Sequence, residues 1–189
     1  MTTKQSIFIS GLLRHNGLEH GLKFDDEGFT SASQVVKILQ KQDPKFSYEI
    51  LESIVAKDKK NRTTLLNDKI RANQGHSGEI ASTIDPEKLF TKVTDAKEIQ
   101  NCIHGTYKKY LDSILESGLK PMERSHVHCA FGLPGDPNVK SGIRQDCDVF
   151  LYIDVQKAMD AGLTFYQSTN GVILIDGVVK KDYFRVAYK

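Results

Sequence analysis

The sequence contains no tryptophan, only three cysteines and only five prolines among 189 residues. Cys102, Cys129 and Cys147 cannot all pair with one another, and none of them lies in the CxxC spacing of a zinc site. We therefore expect free thiols, as in a protein of a reducing compartment, and no bound metal. The small number of prolines, with 14 glycines, excludes collagen-like and low-complexity proteins.

Long apolar runs are also missing from the sequence. The longest runs, residues 149–155 and 172–175, have the length of strands, whereas a membrane-spanning helix needs about 20 apolar residues. Residues 1–6 lack the apolar segment and the cleavage site of a secretory signal peptide. We therefore expect an intracellular protein of the cytoplasm, or of the nucleus if the source is a eukaryote.

The sequence has no large excess of charge of one sign. Its net charge is +2, from 26 basic and 24 acidic residues, whereas nucleic-acid-binding domains are usually far more basic. Arginine is particularly rare, because lysine supplies 20 of the basic residues. The planar guanidinium group binds phosphate or carboxylate through two N–H groups, so each arginine is a candidate ligand for an anion. The six are Arg14, Arg62, Arg71, Arg124, Arg144 and Arg185.

Three helices are predicted in the first part of the chain. A broad apolar stripe predicts a helix over residues 3–15. Ser31 and Gln34 have the spacing of a capping box, which predicts that a second helix begins there. A third helix is predicted to begin near Ser47, where apolar residues recur at helical spacing.

A β-hairpin is predicted after these helices. Residues 62–66 and 69–73 have the pattern of strands, and Asn67 and Asp68 between them are typical turn residues. Three helices closed by a hairpin resemble a winged helix, an architecture that often binds nucleic acid, although a fold does not by itself establish a function. We place this first domain at residues 1–85.

The second domain, residues 86–189, is predicted to contain short strands and one clear helix. Residues 80–100 have the composition of a linker, without a strong element of their own. The helix covers residues 107–117 and ends at Gly118 in a left-handed cap. Strands are predicted over residues 126–131, 149–155, 171–175 and 183–188. The fold class is therefore α+β, with a mixed or antiparallel sheet in this half.

Five of the six histidines lie in four short clusters, and three of these clusters combine a histidine with an arginine. Arginine carries a permanent charge, and histidine donates hydrogen bonds near neutral pH, so the combination suits a phosphorylated ligand. The clusters are Leu13-Arg14-His15, residues 70–77, His104-Gly105-Thr106, and residues 124–128.

Each cluster also has a purely structural interpretation. Arg14 and His15 could complement the dipole at the end of a helix. His126 and His128 share one face of a strand and could bind zinc, although no cysteine or carboxylate partner lies at metal-ligand spacing. The turn-rich residues 132–137 could be an ordinary connection. They are not a P-loop, because no GK[ST] follows, and the chain has no GxGxxG dinucleotide motif.

Taken together, the clusters resemble the NAD-dependent RNA 2′-phosphotransferases, which remove the 2′-phosphate that remains at a tRNA splice junction. The resemblance covers nearly the whole chain, and its most specific part is residues 70–77, Ile-Arg-Ala-Asn-Gln-Gly-His-Ser. The other matching stretches, in the order of the family, are residues 13–15, 104–106, 124–128, 132–137, 141–144 and 170–174.

The resemblance implies an N-terminal winged-helix-like lobe that binds RNA and phosphate, and a C-terminal lobe with the mixed sheet of the ADP-ribosyltransferases that binds NAD. It implies that the RNA 2′-phosphate attacks C1″ of NAD⁺, expels nicotinamide and forms a 2′-phospho-ADP-ribosylated RNA. The ribose O2″ then attacks this phosphate, which releases ADP-ribose 1″,2″-cyclic phosphate and leaves a 2′-OH. We expect ligated tRNA and NAD as partners, and a monomeric protein.

The resemblance also assigns residues to roles, with no metal among them. The catalytic residues would be Arg14, His15, Arg71 and Arg124. The residues that bind NAD would be His104, Gly105, Thr106, His128 and Arg144. The residues that contact the RNA substrate would be Gln74 and His76.

The sequence departs from the family at three places. Phe29 stands where tryptophan is common, which we expect to change only packing, and residues 60–62 and Cys129 also differ from the usual pattern. Two other functions stay open. One is an ADP-ribosyltransferase that modifies a nucleic-acid terminal phosphate or a protein and stops there. The other is a non-catalytic module that binds RNA or NAD.

Overall fold

The computed structural model describes residues 4–189 and divides into two compact units, of which the first ends at Leu89 and the second begins at Phe90. The boundary lies four residues beyond the position predicted from the sequence. The amides of Lys88 and Leu89 donate hydrogen bonds to the carbonyl of Asp85, and the amide of Asp85 bonds to Asp26. These bonds hold residues 86–89 on the first unit.

The first unit contains the three helices that were predicted from the sequence. Helix α1, Lys4–Gly11, continues as a π-helical segment, Leu12–Asn16, and residue 3 of the predicted helix lies outside the described residues. Helices α2, Ala32–Gln40, and α3, Tyr48–Ala56, begin at serine caps, whose hydroxyl oxygens accept hydrogen bonds from backbone amides. A short 3-10 helix, Leu18–His20, joins the π-helical segment to the chain that leads to α2.

The predicted hairpin is present and belongs to a three-stranded antiparallel sheet. Its strands are β1, Thr30–Ser31, β2, Thr63–Leu66, and β3, Lys69–Ala72, in the order β1-β3-β2. Asn67 and Asp68 have φ values of 47° and 60°, as a two-residue hairpin turn requires. Strand β1 has only two residues, too few for a recognisable alternation in the sequence.

The first unit has its own apolar core. The π-helical segment contributes Leu12 and Leu13, both with 0% exposure, which pack with residues of α2, α3 and β3. Because one side of the segment is fixed by these leucines, Arg14 and His15, which follow them, are held at a defined place on the surface of the core.

The prediction of a linker at residues 80–100 is wrong, because this stretch contains four short elements of secondary structure. They are helix α4, Gly78–Thr83, helix α5, Pro86–Leu89, strand β4, Thr91–Val93, and a 3-10 helix, Ala96–Glu98. Each element is too short to show periodicity in the sequence. Ile80, Leu89 and Val93 are buried, and this tertiary packing orders the stretch.

The second unit contains two antiparallel sheets, in the orders β10-β7-β5 and β4-β8-β9-β6. The sequence was compatible with a mixed or an antiparallel sheet. Every strand pair among residues 4–189 is antiparallel. The strands are β5, Ile103–Thr106, β6, Val127–Cys129, β7, Val149–Ile153, β8, Thr164–Gln167, β9, Ile173–Asp176, and β10, Phe184–Tyr188. The helices are α6, Lys108–Ser117, α7, Val155–Asp160, and a 3-10 helix, Lys181–Tyr183.

The predicted strand over residues 149–155 is too long. Strand β7 ends at Ile153 because the side chain of Asp154 accepts a hydrogen bond from the amide of Lys157 and begins helix α7. This helix and strands β5 and β8 were not predicted. The other predicted strands differ from the observed ones only at their ends.

The two sheets of the second unit share one apolar core, and their backbones pair at a single position. Ile103 and Ala130 exchange two backbone hydrogen bonds of 2.8 Å, and beyond them β5 and β6 belong to different sheets. Cys102, Cys129 and Cys147 are buried free thiols in this region. No helix among residues 4–189 is long and apolar enough to cross a membrane.

Helix α6 ends at Gly118, but not in the left-handed cap that was predicted. Gly118 has φ 82° and ψ 164°, a conformation that is essentially restricted to glycine. A Cβ atom there would lie 2.6 Å from Cγ1 of Val178 and 3.1 Å from the carbonyl oxygen of Val179. The following residue, Leu119, pairs with Val179, which fixes this backbone.

We expect the substitution Gly118→Ala to lower the free energy of unfolding by about 2–3 kcal/mol, because it adds backbone strain and a steric clash. Gly11→Ala is the control, since Gly11 has φ −63° and its Cβ would meet no atom closer than 3.8 Å. This control should stabilise the protein by up to about 1 kcal/mol. Urea denaturation measures both changes, and an equal effect of the two substitutions would contradict the assignment of strain to Gly118.

Candidate active site

The π-helical segment presents the first two candidate residues of the first unit. Arg14 and His15 lie in its last turn, directly after the buried Leu12 and Leu13. A π-helical turn is rare and is frequently found at functional sites. The helix is therefore irregular at Arg14 and His15, the two residues that were predicted to be functional.

Ser77 connects this segment to the loop that follows strand β3. Its amide donates a 3.0 Å hydrogen bond to the carbonyl of Arg14, and its hydroxyl lies 2.8 Å from Nδ1 of His15. Ser77 precedes helix α4 at the capping position, yet its side chain makes no capping bond to that helix. The hydroxyl thus orients His15 instead of stabilising the start of α4.

The loop also approaches Arg14 through Gly75. Gly75 has φ +87°, and a Cβ atom at this position would lie 3.6 Å from Nε and 3.7 Å from Cζ of Arg14. Gln74 and His76, on either side of it, are buried, with 6% and 4% exposure. The predicted residues Arg14, His15, Gln74 and His76 therefore lie together in the first unit.

Arg71 lies on strand β3, which leads into the same loop. Its Nη1 donates a 3.1 Å hydrogen bond to the carbonyl of Glu27 and is 3.7 Å from the carboxylate of Glu27. Its guanidinium carbon is 4.4 Å from the centre of the Phe29 ring, a cation–π contact. Burial lowers the pKa of Arg71, and the negative charges of Glu27 and Asp25 offset part of this effect.

One hydrogen-bond donor of Arg71 has no partner in the described part of the chain. Its Nε–H is buried and meets no hydrogen-bond acceptor among residues 4–189. A buried donor without an acceptor costs free energy, so such a group calls for an explanation. A bound anion would supply the acceptor.

In the second unit, two histidines are oriented by backbone carbonyls at the junction of the sheets. Nδ1 of His104 lies 2.8 Å from the carbonyl of His128, and Nδ1 of His128 lies 2.9 Å from the carbonyl of His126. A carbonyl oxygen only accepts, so in both rings Nδ1 carries a proton. The hydrogen bond from the ring of His104 to the carbonyl of His128 connects β5 with β6 where these two strands diverge into different sheets.

Two cysteines lie next to His104 in the core. Burial alone would raise the pKa of the Cys129 thiol, but hydrogen bonds with Cys102 and His104 lower it. Burial would likewise lower the pKa of His104, but its bonds with Cys129 and with the carbonyl of His128 raise it. Cys129, where the sequence departs from the usual pattern of the family, thus places a polar side chain beside His104, a candidate NAD-binding residue.

Arg124 and Arg144 lie within electrostatic range of each other. The pKa of Arg124 is lowered, mostly by desolvation and further by the charge of Arg144. Arg144 has partners of its own, since its Nη1 lies 3.5 Å from the hydroxyl of Tyr107. No carboxylate forms an ion pair with Arg124 in the described part of the chain.

Gly105 and Thr106 complete the predicted NAD-binding set on β5. A Cβ atom at Gly105 would lie 2.6 Å from Ile143 and 2.7 Å from the sulfur of Cys147, so one reason for glycine here is packing. Thr106 is buried, with 6% exposure, and its carbonyl accepts the amide of Asp148. The structure brings Gly105 and Thr106 next to His104 on one strand.

His126 has a packing role that the sequence did not indicate. Its ring makes edge contacts with Phe90 and Tyr166, with centroids 5.6 Å and 5.7 Å apart. Burial lowers its pKa, and Asp176 partly offsets this. No group of three or more potential metal ligands converges among residues 4–189. The structure therefore adds no further ligand to His126 and His128 that would support a zinc site.

Comparison with known proteins places this chain in a family. Residues 2–177 match the family described as RNA 2′-phosphotransferase, Tpt1 / KptA family. The chain belongs to this family. The resemblance drawn from the sequence is thereby confirmed, and the family name denotes a transferase that acts on an RNA 2′-phosphate.

Several relatives share this name. The "Putative tRNA 2′-phosphotransferase" of Schizosaccharomyces pombe is 40% identical over 174 residues, which are 90% of this chain and 46% of that longer protein. The "tRNA 2′-phosphotransferase 1" of Danio rerio is 38% identical, over 89% of this chain and 76% of its own length. The "Probable RNA 2′-phosphotransferase" of Pseudomonas fluorescens is 35% identical, with 92% and 91% covered.

Sequence reasoning missed the residues that hold the family's motif residues in place. Glu27, Ser77 and Tyr107 were not selected, because nothing in their local sequence indicates a contact with a distant arginine or histidine. Phe29 gave a signal, as a departure from the family's usual tryptophan, but it was assigned to packing alone. The structure shows that its ring lies against the guanidinium of Arg71.

We expect Phe29→Leu to slow RNA 2′-phosphate removal about 3- to 30-fold, because a lost cation–π contact of roughly 0.5–2 kcal/mol leaves Arg71 less well positioned. Phe29→Trp should keep near-normal activity, since it retains an aromatic face. Initial rates on a 2′-phosphorylated RNA measure both variants, and thermal melting checks that each is folded. If tryptophan fails to do better than leucine, Phe29 is not a positioning residue for Arg71.

Proposed function

We propose that this protein removes the 2′-phosphate of an internal RNA nucleotide in a reaction that consumes NAD⁺. The products would be 2′-OH RNA, ADP-ribose 1″,2″-cyclic phosphate and nicotinamide, and ligated tRNA would be the natural substrate. The observation that carries the proposal is the buried Nε–H of Arg71, which has no acceptor among residues 4–189. Arg71 lies on the strand that leads into the loop beside Arg14. Family membership supplies the substrate class.

The cluster in the first unit suits a dianionic phosphate. Arg71 is fixed by a carbonyl and by the face of Phe29, so its fork is already oriented before a ligand binds. A phosphate dianion is already a nucleophile and needs no base to generate it. It needs to be held in a defined position against the repulsion of other phosphates, and guanidinium groups provide this. We assign this role to Arg14 and Arg71 in the first unit, and Arg124 is a candidate phosphate ligand of the second unit.

His15 is the candidate for proton transfer. Its Nδ1 is held by the hydroxyl of Ser77, so the position of Nε2 is also set. We assign to Nε2 the exchange of a proton with a ribose hydroxyl, a step that histidine side chains commonly perform in enzymes. Gln74 and His76, buried beside Arg14, are proposed to contact the RNA substrate.

The fold supports this division of roles. Three helices with the sheet β1-β3-β2 are what a winged-helix-like lobe would contain, and we assign RNA and phosphate binding to that lobe. We assign an ADP-ribosyltransferase-like fold, and NAD binding, to the second unit. Its two sheets separate beyond the Ile103–Ala130 pair, which leaves β5 and β6 as neighbouring sheet edges.

The residues of the second unit fit NAD by their charge. Arg124 is repelled by Arg144 and has no carboxylate partner in the described part of the chain, an arrangement that an anionic pyrophosphate would relieve. When bound, NAD⁺ supplies an electrophilic ribose carbon with nicotinamide as the leaving group. The residues proposed to hold it are His104, Gly105, Thr106, His128 and Arg144. His104 would present Nε2, because its Nδ1–H is engaged by the carbonyl of His128.

The proposal is tested by incubating the protein with NAD⁺ and a short RNA that carries one internal 2′-phosphate, and by separating the products chromatographically. We expect 2′-OH RNA, nicotinamide and ADP-ribose 1″,2″-cyclic phosphate, all dependent on NAD⁺. A stable ADP-ribosylated RNA would instead indicate a transferase that stops after the first step. The absence of both nicotinamide and 2′-OH RNA would favour a binding module.

We expect Arg71→Ala to lower the rate of phosphate removal about 100- to 1000-fold, since a preorganised donor to the reacting phosphate is lost. Arg71→Lys should recover little of this rate, because it keeps the charge and loses the fork. Single-turnover rates with the 2′-phosphorylated RNA measure these effects.

The matched control is Arg62→Lys in the same unit. Arg62 binds the carboxylate of Asp58 at 2.8 Å, a contact with a structural role that lysine can partly replace. This control should change the rate less than two-fold, within the range expected for substitutions outside the site. Near-normal turnover in both Arg71 variants would contradict the assignment of that residue.

A further inference from the structure

A group of exposed tyrosines lies directly after the candidate NAD-binding residues of β5. Tyr107 follows Thr106, and Tyr110 lies in the first turn of α6, with 50% exposure. Tyr188, at the end of β10, is 61% exposed. Thr106 and Tyr188 both pair with Val149, so the ends of β5, β7 and β10 lie side by side at this edge of the sheet.

Each of these tyrosines has a cation near its ring. The Lys109 ammonium is 4.9 Å from the centre of the Tyr110 ring and 5.9 Å from that of Tyr107. The Lys108 ammonium is 5.8 Å from the centre of the Tyr188 ring, and the guanidinium carbon of Arg144 is 5.9 Å from that of Tyr107. We call Tyr107, Tyr110 and Tyr188 with Lys108, Lys109 and Arg144 the tyrosine platform.

The inner part of the platform is held in place. The rings of Tyr107 and Tyr110 meet edge to face with centroids 6.2 Å apart. The hydroxyl of Tyr107 donates a 2.9 Å hydrogen bond to Asp146, and the amide of Lys108 donates one of 2.9 Å to Asp148. The two nearby carboxylates are therefore held in place by fixed donors but keep their negative charge, so the three cations of the platform outnumber them by one.

Exposed aromatic rings with interspersed cations are the chemistry that binds single-stranded nucleic acid. Unpaired bases stack on the rings, while lysine and arginine neutralise the phosphates. Tyr110 and Tyr188 are large aromatic side chains with free surface, and the core of the unit does not need them. A site for an acidic peptide would not require this many aromatic rings.

We propose that the tyrosine platform binds the unpaired RNA nucleotides that flank the 2′-phosphate. The inference rests on the proposed function for its substrate and adds a second contact region, whose tyrosines and lysines lie outside the motif residues. Tyr110 is the stacking residue, Lys109 neutralises a phosphate, and Tyr107 holds Tyr110 and Arg144 in position.

The first test measures binding by fluorescence anisotropy, without NAD⁺, to a labelled single-stranded RNA that carries one internal 2′-phosphate. Tyr110→Ala should weaken binding about 10-fold, the scale of one lost base stack, and Tyr110→Phe should bind like the wild type. Lys109→Ala should reduce the slope of log affinity against log salt by about one. Lys157→Ala, a lysine on α7, is the control and should change neither quantity.

The second test uses kinetics with RNAs of different length. KM for an RNA with several unpaired flanking nucleotides should rise about 10-fold in Tyr110→Ala, whereas KM for a 2′-phosphorylated dinucleotide and KM for NAD⁺ should not change. A rise in KM for NAD⁺ with unchanged RNA binding would overturn the proposal and assign Tyr110 to the cofactor. Equal weakening with a fully duplex RNA would also overturn it, because paired bases cannot stack on the platform.

Failure of the proposed function and failure of this inference give different results. If the wild type binds the RNA and Tyr110→Ala weakens that binding, the platform is supported even where no phosphate is removed. If the wild type removes the phosphate and Tyr110→Ala binds and reacts normally, the platform is overturned and the proposed function stands. Thermal melting of each variant shows that a loss of binding does not reflect unfolding.

Discussion

The hydrogen bond between the amide of Ser77 and the carbonyl of Arg14 holds the candidate site of the first unit together. It joins two segments more than 60 residues apart in sequence, the π-helical turn and the loop after β3. The hydroxyl of the same serine engages His15, and Gly75 lets the loop backbone approach the side chain of Arg14. Since the loop continues directly from β3, this one contact also sets where Arg14 lies relative to Arg71.

The arginines divide by the way in which their charge is compensated. Arg62 is neutralised by Asp58, and Arg185 lies on the ring of Tyr152 at 4.0 Å, so both have partners that suit a structural role. Arg71 keeps a buried donor that meets no acceptor within the described part of the chain, and Arg124 is repelled by another arginine. Such arrangements lower stability, and a protein retains them where a ligand supplies the missing partner.

Local signals in the sequence predicted the elements that local interactions determine. The serine caps at Ser31 and Ser47 and the turn at Asn67 and Asp68 are made by neighbouring residues, and the structure has all of them. The short elements between residues 78 and 98 and strands β5 and β8 were missed, because they are ordered by contacts with distant residues. The motif residues were found through the family resemblance, but Phe29 and Ser77, which position them, act through contacts that no local pattern encodes.

Backbone carbonyls orient the key side chains in both units. The carbonyl of Glu27 holds Arg71, that of His128 holds His104, and that of His126 holds His128. A carboxylate would bind these groups more strongly, but it would also cancel the positive charge that attracts phosphate and would compete with it. A carbonyl fixes geometry and leaves the charge in place. The carboxylate of Glu27, 53% exposed and 3.7 Å away, is the partner that a phosphate could displace at the smallest cost.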